Sequence, residues 1–164
     1  MPKQPHPYPS VKQISAHLGE GNDSYSGSQF NAATPVPHFV DGEAGNDTIV
    51  GSPANDTLLG GLGNDSVDGG FGDDSVYGNG GKDTLDGQEG RDRVDGGRSN
   101  DVIHGGAQND RLIGGEGSDE LYGDSGNDLF YADDGTVDYL FGASGTDGGP
   151  VDPTDVLASI ESPT

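Results

Sequence analysis

Aspartate residues recur at every ninth position through the middle of this chain of 164 residues. The ten members of the series are Asp47, Asp56, Asp65, Asp74, Asp83, Asp92, Asp101, Asp110, Asp119 and Asp128. An acidic residue repeated at a short fixed period among glycines is typical of a solenoid, in which every repeat presents the same group to the same kind of partner. Carboxylate oxygens are ligands for hard cations, so cation binding is the chemistry that this series could perform.

Glycines accompany the aspartates at fixed distances. Residues 42–131 divide into ten nonapeptides with glycine at position one and aspartate at position six. The position-one glycines are Gly42, Gly51, Gly60, Gly69, Gly78, Gly87, Gly96, Gly105, Gly114 and Gly123, and the position-four glycines are Gly45, Gly63, Gly72, Gly81, Gly90, Gly117 and Gly126. Because glycine permits positive φ, we expect both positions to turn the chain and to aim backbone carbonyls at the cation. Ala54, Ser99 and Gln108 replace glycine at position four, and we expect strained, weaker or partly filled sites beside them.

The three residues after each aspartate are mostly β-branched, aromatic or leucine, which favours a short strand. Position eight is always apolar, as Ile49, Leu58, Val67, Val76, Leu85, Val94, Ile103, Leu112, Leu121 and Phe130. Side chains alternate along a strand, so position eight faces a thin core while positions seven and nine face outward. Each nonapeptide therefore supplies one loop and one strand, and two nonapeptides make a full turn of 18 residues. The predicted fold is all-β, a parallel β-roll with irregular end caps.

Stacked turns divide the aspartates into two columns, one that begins with Asp47 and Asp65 and another that begins with Asp56 and Asp74. Carboxylates at the ~4.8 Å spacing of strands cannot remain charged and bare. Calcium fits best, because it takes six to eight hard oxygens at flexible geometry. Magnesium requires a tighter octahedron, and zinc prefers nitrogen or sulfur. Four gaps in each column predict about eight calcium ions between the loops.

Composition agrees with dependence on a cation. The chain is 29% hydrophobic, contains 31 glycines and carries a formal charge of −22. Such a polyanion cannot bury enough apolar surface to fold unless positive charge neutralises it. We expect no nucleic-acid or anionic-membrane partner. There is no cysteine, no apolar run of the ~18 residues that span a bilayer, and no signal-like apolar stretch at the N-terminus.

The ends of the chain depart from the repeat. We divide the chain into an N-terminal cap (1–41), the roll (42–131) and a C-terminal cap (132–164). Residues 19–25 resemble the back of a degenerate repeat with Asp23 at position six, put out of phase by an insertion within residues 28–39. Residues 11–18 could form a short strand or a helical turn. For the acidic residues after the array, Asp133, Asp134, Asp138 and Asp147, we favour solvated cap residues over ligands of an end site.

Catalysis is not expected. The ten aspartates have equivalent surroundings, the histidines are scattered, and neither an HExxH nor a GxSxG motif is present. One outer face is predicted to combine Leu59, Tyr77, Ile113 and Tyr131 with Arg93, Arg111 and Asp95. This face is either ordinary strand surface, which we favour, or a surface for a glycan or a partner protein.

The nonapeptides match the pattern GGxGxDxUx, and the chain resembles the RTX (repeats-in-toxin) calcium-binding family over residues 42–131. The resemblance implies a right-handed parallel β-roll, calcium in the loops and disorder without calcium. It also implies a bacterial protein that a type I channel exports to the outside or the cell surface. The expected function is a calcium-binding module that folds outside the cell. The alternative is an accessory domain of a secreted enzyme or adhesin that binds a glycan or a partner.

Overall fold

The computed structural model describes residues 12–28 and 35–159, and within those ranges the regular structure is entirely β. The strands are β1 (Ile14–His17), β2 (Ser24–Ser26), β3 (His38–Asp41), β4 (Thr48–Val50), β5 (Thr57–Leu62), β6 (Ser66–Phe71), β7 (Ser75–Gly80), β8 (Thr84–Glu89), β9 (Arg93–Arg98), β10 (Val102–Ala107), β11 (Arg111–Glu116), β12 (Glu120–Ser125), β13 (Leu129–Tyr131), β14 (Tyr139–Phe141) and β15 (Val156–Ala158). The part of the chain described here holds no helix long and apolar enough to cross a membrane.

Successive strands alternate between two parallel sheets. The odd-numbered strands from β1 to β13 form a seven-stranded sheet, and β2, β4, β6, β8, β10, β12, β14 and β15 form an eight-stranded sheet. Through the array each strand pairs with the strand two further along, as in Leu58↔Val76 and Val67↔Leu85. This register of 18 residues makes every pair of nonapeptides one turn. The predicted all-β parallel β-roll is therefore confirmed.

The strands are longer than the three residues expected from β-propensity. Strands β5 to β12 are six residues each, and they continue to position three of the following repeat. In β5, for example, Gly60 is buried in the same inward direction as Leu58. Parallel neighbours above and below supply backbone partners to these glycine-rich residues, which on their own have little tendency to form strands.

The core is a single stack of apolar side chains between the two sheets. The predicted position-eight residues are 0–1% exposed throughout the array, and Val40 and Leu140 extend the stack at its two ends. Positions seven and nine on either side are exposed or half-buried, as in Thr57 and Leu59. The predicted alternation is confirmed.

The strand register continues past both ends of the nonapeptide array. Strand β1 pairs with β3 at Ile14↔His38, and β2 pairs with β4 at Ser24↔Thr48, each over 24 residues instead of 18. The inserted residues therefore lie between β2 and β3, as expected. Residues 29–34 lie outside the described ranges, so the predicted surface loop stays a prediction. At the C-terminal end, β14 pairs with β12 and β15 pairs with β14.

Candidate metal centres between the turns

The loops at the two edges of the roll carry the predicted aspartates in two columns. The first column lies where the chain passes from the seven-stranded to the eight-stranded sheet, and it contains Asp47, Asp65, Asp83, Asp101 and Asp119. The second column, on the opposite edge, contains Asp56, Asp74, Asp92, Asp110 and Asp128. All ten side chains are buried, with 0–3% exposure.

One carboxylate oxygen of each aspartate is bonded to the backbone of the preceding turn. The N–H of Asp65 donates to Oδ1 of Asp83 over 2.8 Å, and the N–H of Asp74 donates to Oδ1 of Asp92 over 2.7 Å. The same bond recurs along both columns, so each carboxylate is held in one orientation. Hydrogen bonding of this kind stabilises the charged carboxylate.

The second carboxylate oxygen is buried without a hydrogen-bond donor. This holds for Oδ2 of Asp23, Asp47, Asp65, Asp74, Asp83, Asp92, Asp101, Asp110, Asp119, Asp128, Asp138 and Asp147. A single orphaned polar atom costs about 1–3 kcal/mol. A native chain does not repeat that cost at every turn unless a ligand removes it, so these oxygens fit a bound cation.

The position-one glycines lie beside these free oxygens. A β-carbon on Gly87 would approach Oδ2 of Asp92 and the carbonyl oxygen of Gly105, one turn further along, to 2.6 Å each. At Gly69 the corresponding distances are 2.7 Å to Asp74 and 2.8 Å to the carbonyl of Gly87. A carboxylate oxygen and a carbonyl oxygen from adjacent turns therefore converge at the space that glycine leaves open.

We expected glycine at positions one and four because both would adopt positive φ. That expectation is wrong at position one and right at position four. The ten glycines at position one are absent from the residues with positive φ, whereas those at position four adopt it, as in Gly81 with φ 131°. Positive φ also occurs at position two, which the sequence reasoning missed. It is adopted there by Gly61 (φ 113°) and even by Asn79 and Gln88 (both φ 72°). Position one needs glycine for close approach rather than for backbone conformation.

Backbone carbonyls complete the oxygen-rich surroundings. A β-carbon on Gly63 or Gly81 would collide with the position-four carbonyl of the preceding turn, and one on Gly97 would collide with the carbonyl of Asn79 at position two. No three acidic or histidine side chains converge as a metal cluster in the residues described. The candidate centres are thus made of one or two carboxylates and several carbonyls, an all-oxygen set suited to calcium rather than zinc.

Burial raises the pKa of many of these carboxyl groups. It raises the pKa of Asp74 and Asp110 to about 8, and that of Asp92 and Asp101 to about 7, while the backbone hydrogen bonds act in the opposite direction. Neighbouring carboxylates also raise the pKa of Asp110, with Asp92 and Asp128 as the main contributors. Without a cation, these groups would hold protons near neutral pH.

The three replacements of glycine at position four differ from one another. Ser99 and Gln108 adopt the same positive φ as glycine, at 78° and 81°, and the aspartates of their loops keep a free Oδ2. Ala54 does not adopt it, and in its loop Ser52 binds the carboxylate of Asp56. The expectation that all three sites are weakened remains a prediction, but the local rearrangement is found only at Ala54.

The columns extend beyond the ten predicted members. The N–H of Asp119 donates to Asp138 and the N–H of Asp128 donates to Asp147, both of which are buried. Solvated cap residues were therefore the wrong interpretation for Asp138 and Asp147, because the strand register continues where the nine-residue spacing has slipped by one residue. Asp133 and Asp134 are exposed, as expected.

Position five forms a second hydrogen-bonded ladder, which the sequence analysis missed. Oδ1 of Asn46 accepts the N–H of Asn64, and Oδ1 of Asn64 accepts the N–H of Lys82, over 2.8 and 2.9 Å. In each of these bonds the donor N–H belongs to the turn that follows, whereas in the aspartate ladder the donor N–H belongs to the turn that precedes. The frequent asparagine at position five was the available signal, since its amide oxygen is an acceptor.

The two outer faces carry different side chains. Leu59, Tyr77, Ile113 and Tyr131 share one face with Arg93, Arg111 and Asp95, as predicted. On this face the guanidinium of Arg111 lies 4.0 Å from the ring centre of Tyr131. The other face carries an unpredicted stack of His104, Tyr122 and Phe141, with ring centres 4.6 and 4.7 Å apart.

Comparison with known families agrees with this geometry. The sequence profile of the RTX calcium-binding nonapeptide repeat matches four times, at residues 41–76, 77–112, 104–137 and 113–148. No curated protein matches the chain significantly. The matched residues coincide with the stacked loops and their buried aspartates. The chain therefore belongs to the RTX calcium-binding nonapeptide repeat family.

Proposed function

We propose that this protein is a calcium-dependent structural module, in which calcium bound between successive turns drives folding outside the cell. The observation that carries the proposal is the buried, unpartnered Oδ2 that recurs along both columns. A folded chain with that many bare buried oxygens is unstable unless a cation pairs with them.

The ligands of each ion come from two adjacent turns. In the gap between Asp92 and Asp110, Oδ2 of Asp92 and the carbonyl of Gly105 face the space beside Gly87. The aspartates of both columns supply the charge, and the carbonyls at positions one, two and four supply neutral oxygens. Carboxylate and carbonyl oxygens together reach the coordination number that calcium prefers.

Calcium binding and folding are coupled in this proposal. The formal charge of −22 opposes compaction, and each turn has apolar contacts only with its neighbours in a thin core. Bound calcium offsets the charge and ties adjacent turns together, so the free energy of binding becomes free energy of folding. The chain is then extended where calcium is scarce, as during export, and rigid where calcium is abundant. Membership of the RTX family supports an extracellular location.

We favour this structural role over catalysis and over glycan binding. The candidate centres have nearly identical surroundings from turn to turn, which suits repeated binding rather than one reacting centre. The aromatic rings on the outer faces are engaged by neighbours: Tyr122 lies between His104 and Phe141, and Arg111 lies over Tyr131. Both faces of the Tyr122 ring and one face of the Tyr131 ring are therefore covered, which disfavours the stacking of a sugar on them. A specific ligand found on a glycan array would favour the accessory-domain alternative.

Titration of calcium into the chelated full chain tests the proposal. We expect the far-UV circular dichroism to change from coil to β with a steep dependence on calcium concentration. Magnesium over the same range serves as the control cation and is expected to produce a smaller change. A well-ordered β spectrum that persists in excess chelator at pH 8 would overturn the proposal.

A further inference from the structure

We propose that the loop of residues 51–56 does not bind calcium, and that hydrogen bonds within the protein close the N-terminal end of the second column instead. This inference rests on the proposed function, because it concerns which of the inter-turn gaps are filled. It begins from Asp56, whose Oδ2 has a hydrogen-bond donor whereas that of each of the other nine array aspartates has none.

The carboxylate of Asp56 is fully engaged by the protein. The N–H of Ser52 donates to Oδ2 over 2.5 Å, the hydroxyl of Ser52 donates to Oδ1 over 3.0 Å, and the N–H of His38 donates to Oδ1 over 2.6 Å. Both Ser52 and Asp56 are 2% exposed. The oxygen that would face a cation in any other array loop therefore faces a backbone N–H donor here, which repels a cation.

Proline explains why this loop differs. The loop reads Gly-Ser-Pro-Ala-Asn-Asp, whereas residues 60–65 read Gly-Gly-Leu-Gly-Asn-Asp and place Gly61 and Gly63 at φ 113° and 130°. A residue that precedes proline is restricted to extended conformations, so Ser52 cannot adopt the positive φ of position two. Ala54 also lacks positive φ, so the backbone of this loop follows a path different from that of the other loops.

The preceding turn confirms that the second column ends here. Strand β3 pairs with β5 so that His38 occupies the place of an aspartate one turn before Asp56. His38 is buried and its Nδ1 lies 2.8 Å from the hydroxyl of Tyr25. The first column has no such closure, since Asp23 and Asp47 both keep a free Oδ2. The N-terminal turns are thus held by calcium on one edge and by hydrogen bonds on the other.

Calcium stoichiometry of the full chain tests the inference, measured by native mass spectrometry and equilibrium dialysis at saturating calcium. Asp56→Ala is compared with Asp92→Ala, which removes an aspartate with a free Oδ2 from the same column. We expect the first variant to bind as many ions as the wild type and the second to bind fewer. Circular dichroism in calcium establishes that each variant is folded.

A gain-of-binding variant keeps the test decisive if Asp56→Ala does not fold. The triple substitution Ser52→Gly, Pro53→Leu and Ala54→Gly makes residues 51–56 identical to residues 60–65. We expect it to bind an additional calcium ion. Loss of calcium in Asp56→Ala equal to that in Asp92→Ala, or an unchanged stoichiometry in the triple variant, would overturn the inference. A wild-type chain that binds no calcium would instead overturn the proposed function, and this inference with it.

Discussion

The backbone N–H of Asp83 donates a 2.8 Å hydrogen bond to Oδ1 of Asp101, one full turn further along the roll. Asp83 in turn accepts the N–H of Asp65 on its own Oδ1. A single side chain thus connects two turns through one oxygen and leaves the other oxygen free for a cation. Substitutions at this position therefore affect both the protein ladder and the candidate calcium site.

Replacement of Asp83 separates those two roles. Asp83→Asn keeps an acceptor for the N–H of Asp65 but removes the charge, so we expect a higher calcium midpoint and a loss of stability that comes from weaker calcium binding alone. Asp83→Ala also leaves that N–H unpaired, which costs about 1–3 kcal/mol more. Chemical denaturation at saturating calcium measures the difference. Glu116→Ala, at an exposed position, is the control. A calcium midpoint unchanged in both Asp83 variants would show that Asp83 is not a ligand.

Glycine at position one is predicted to be irreplaceable. In Gly87→Ala the added methyl would lie 2.6 Å from Oδ2 of Asp92, inside the proposed site. We expect a loss of about 1–3 kcal/mol in the free energy of unfolding and a higher calcium midpoint. Gly80→Ala is the matched control, because its β-carbon would make only ordinary van der Waals contacts, with the Leu62 side chain at 3.5 Å and the Gly61 carbonyl oxygen at 3.9 Å. Equal behaviour of the two variants in a calcium titration would contradict the proposed role of position one.

The calcium-free chain should respond to pH through its buried carboxyl groups. Burial raises the pKa of Asp74 and Asp110 to about 8, and that of Asp92 and Asp101 to about 7, above the ordinary value of 3.8. Because the folded state then binds more protons than the unfolded state between pH 3.8 and about pH 8, its stability is greatest at low pH and is lost as pH rises through that range.

Circular dichroism in excess chelator from pH 8 to pH 4 measures this dependence. We expect β structure to increase as the pH falls, since protons then take the place of the missing cation. The sample with saturating calcium is the control, and its spectrum should change little between pH 8 and pH 6. A chelated chain equally unfolded at pH 8 and pH 4 would argue against the buried carboxylates as the cause of apo instability.

The ladder at position five predicts a stabilising substitution. Lys82 donates its N–H to Asn64, but it has no acceptor with which to continue the ladder to the next turn. Lys82→Asn would supply one for the N–H of Asn100, and we expect a gain of about 0.5–1.5 kcal/mol. Lys82→Ala removes the charge without adding an acceptor and is the control. Thermal unfolding at saturating calcium makes the comparison, and equal melting temperatures would count against the ladder as a source of stability.

The nine-residue spacing alone was enough to predict most of the fold and most of the candidate calcium sites. It predicted the two columns of Asp47 and Asp56, the inward position of residues such as Leu58, and the parallel β-roll. It did so because a strict repeat places identical residues in identical surroundings, so one local interpretation holds for the entire array. It also located the insertion before the array, because Asp23 kept the repeat pattern out of phase.

Two kinds of feature were decided only by the tertiary structure. They are the residues beyond a slip in the nine-residue spacing and the contacts between adjacent turns. Asp138 and Asp147 entered the columns because strand pairing tolerates an extra residue in the loop, which a fixed period does not reveal. Gly87 is required by contact with Asp92 and with the carbonyl of Gly105 in the next turn rather than by its own φ, and only the stacked structure shows the contact between turns. The engagement of Asp56 by Ser52 likewise depends on a backbone path imposed by Pro53. Local sequence sets the conformation of each loop, but the space between loops exists only after the turns are stacked.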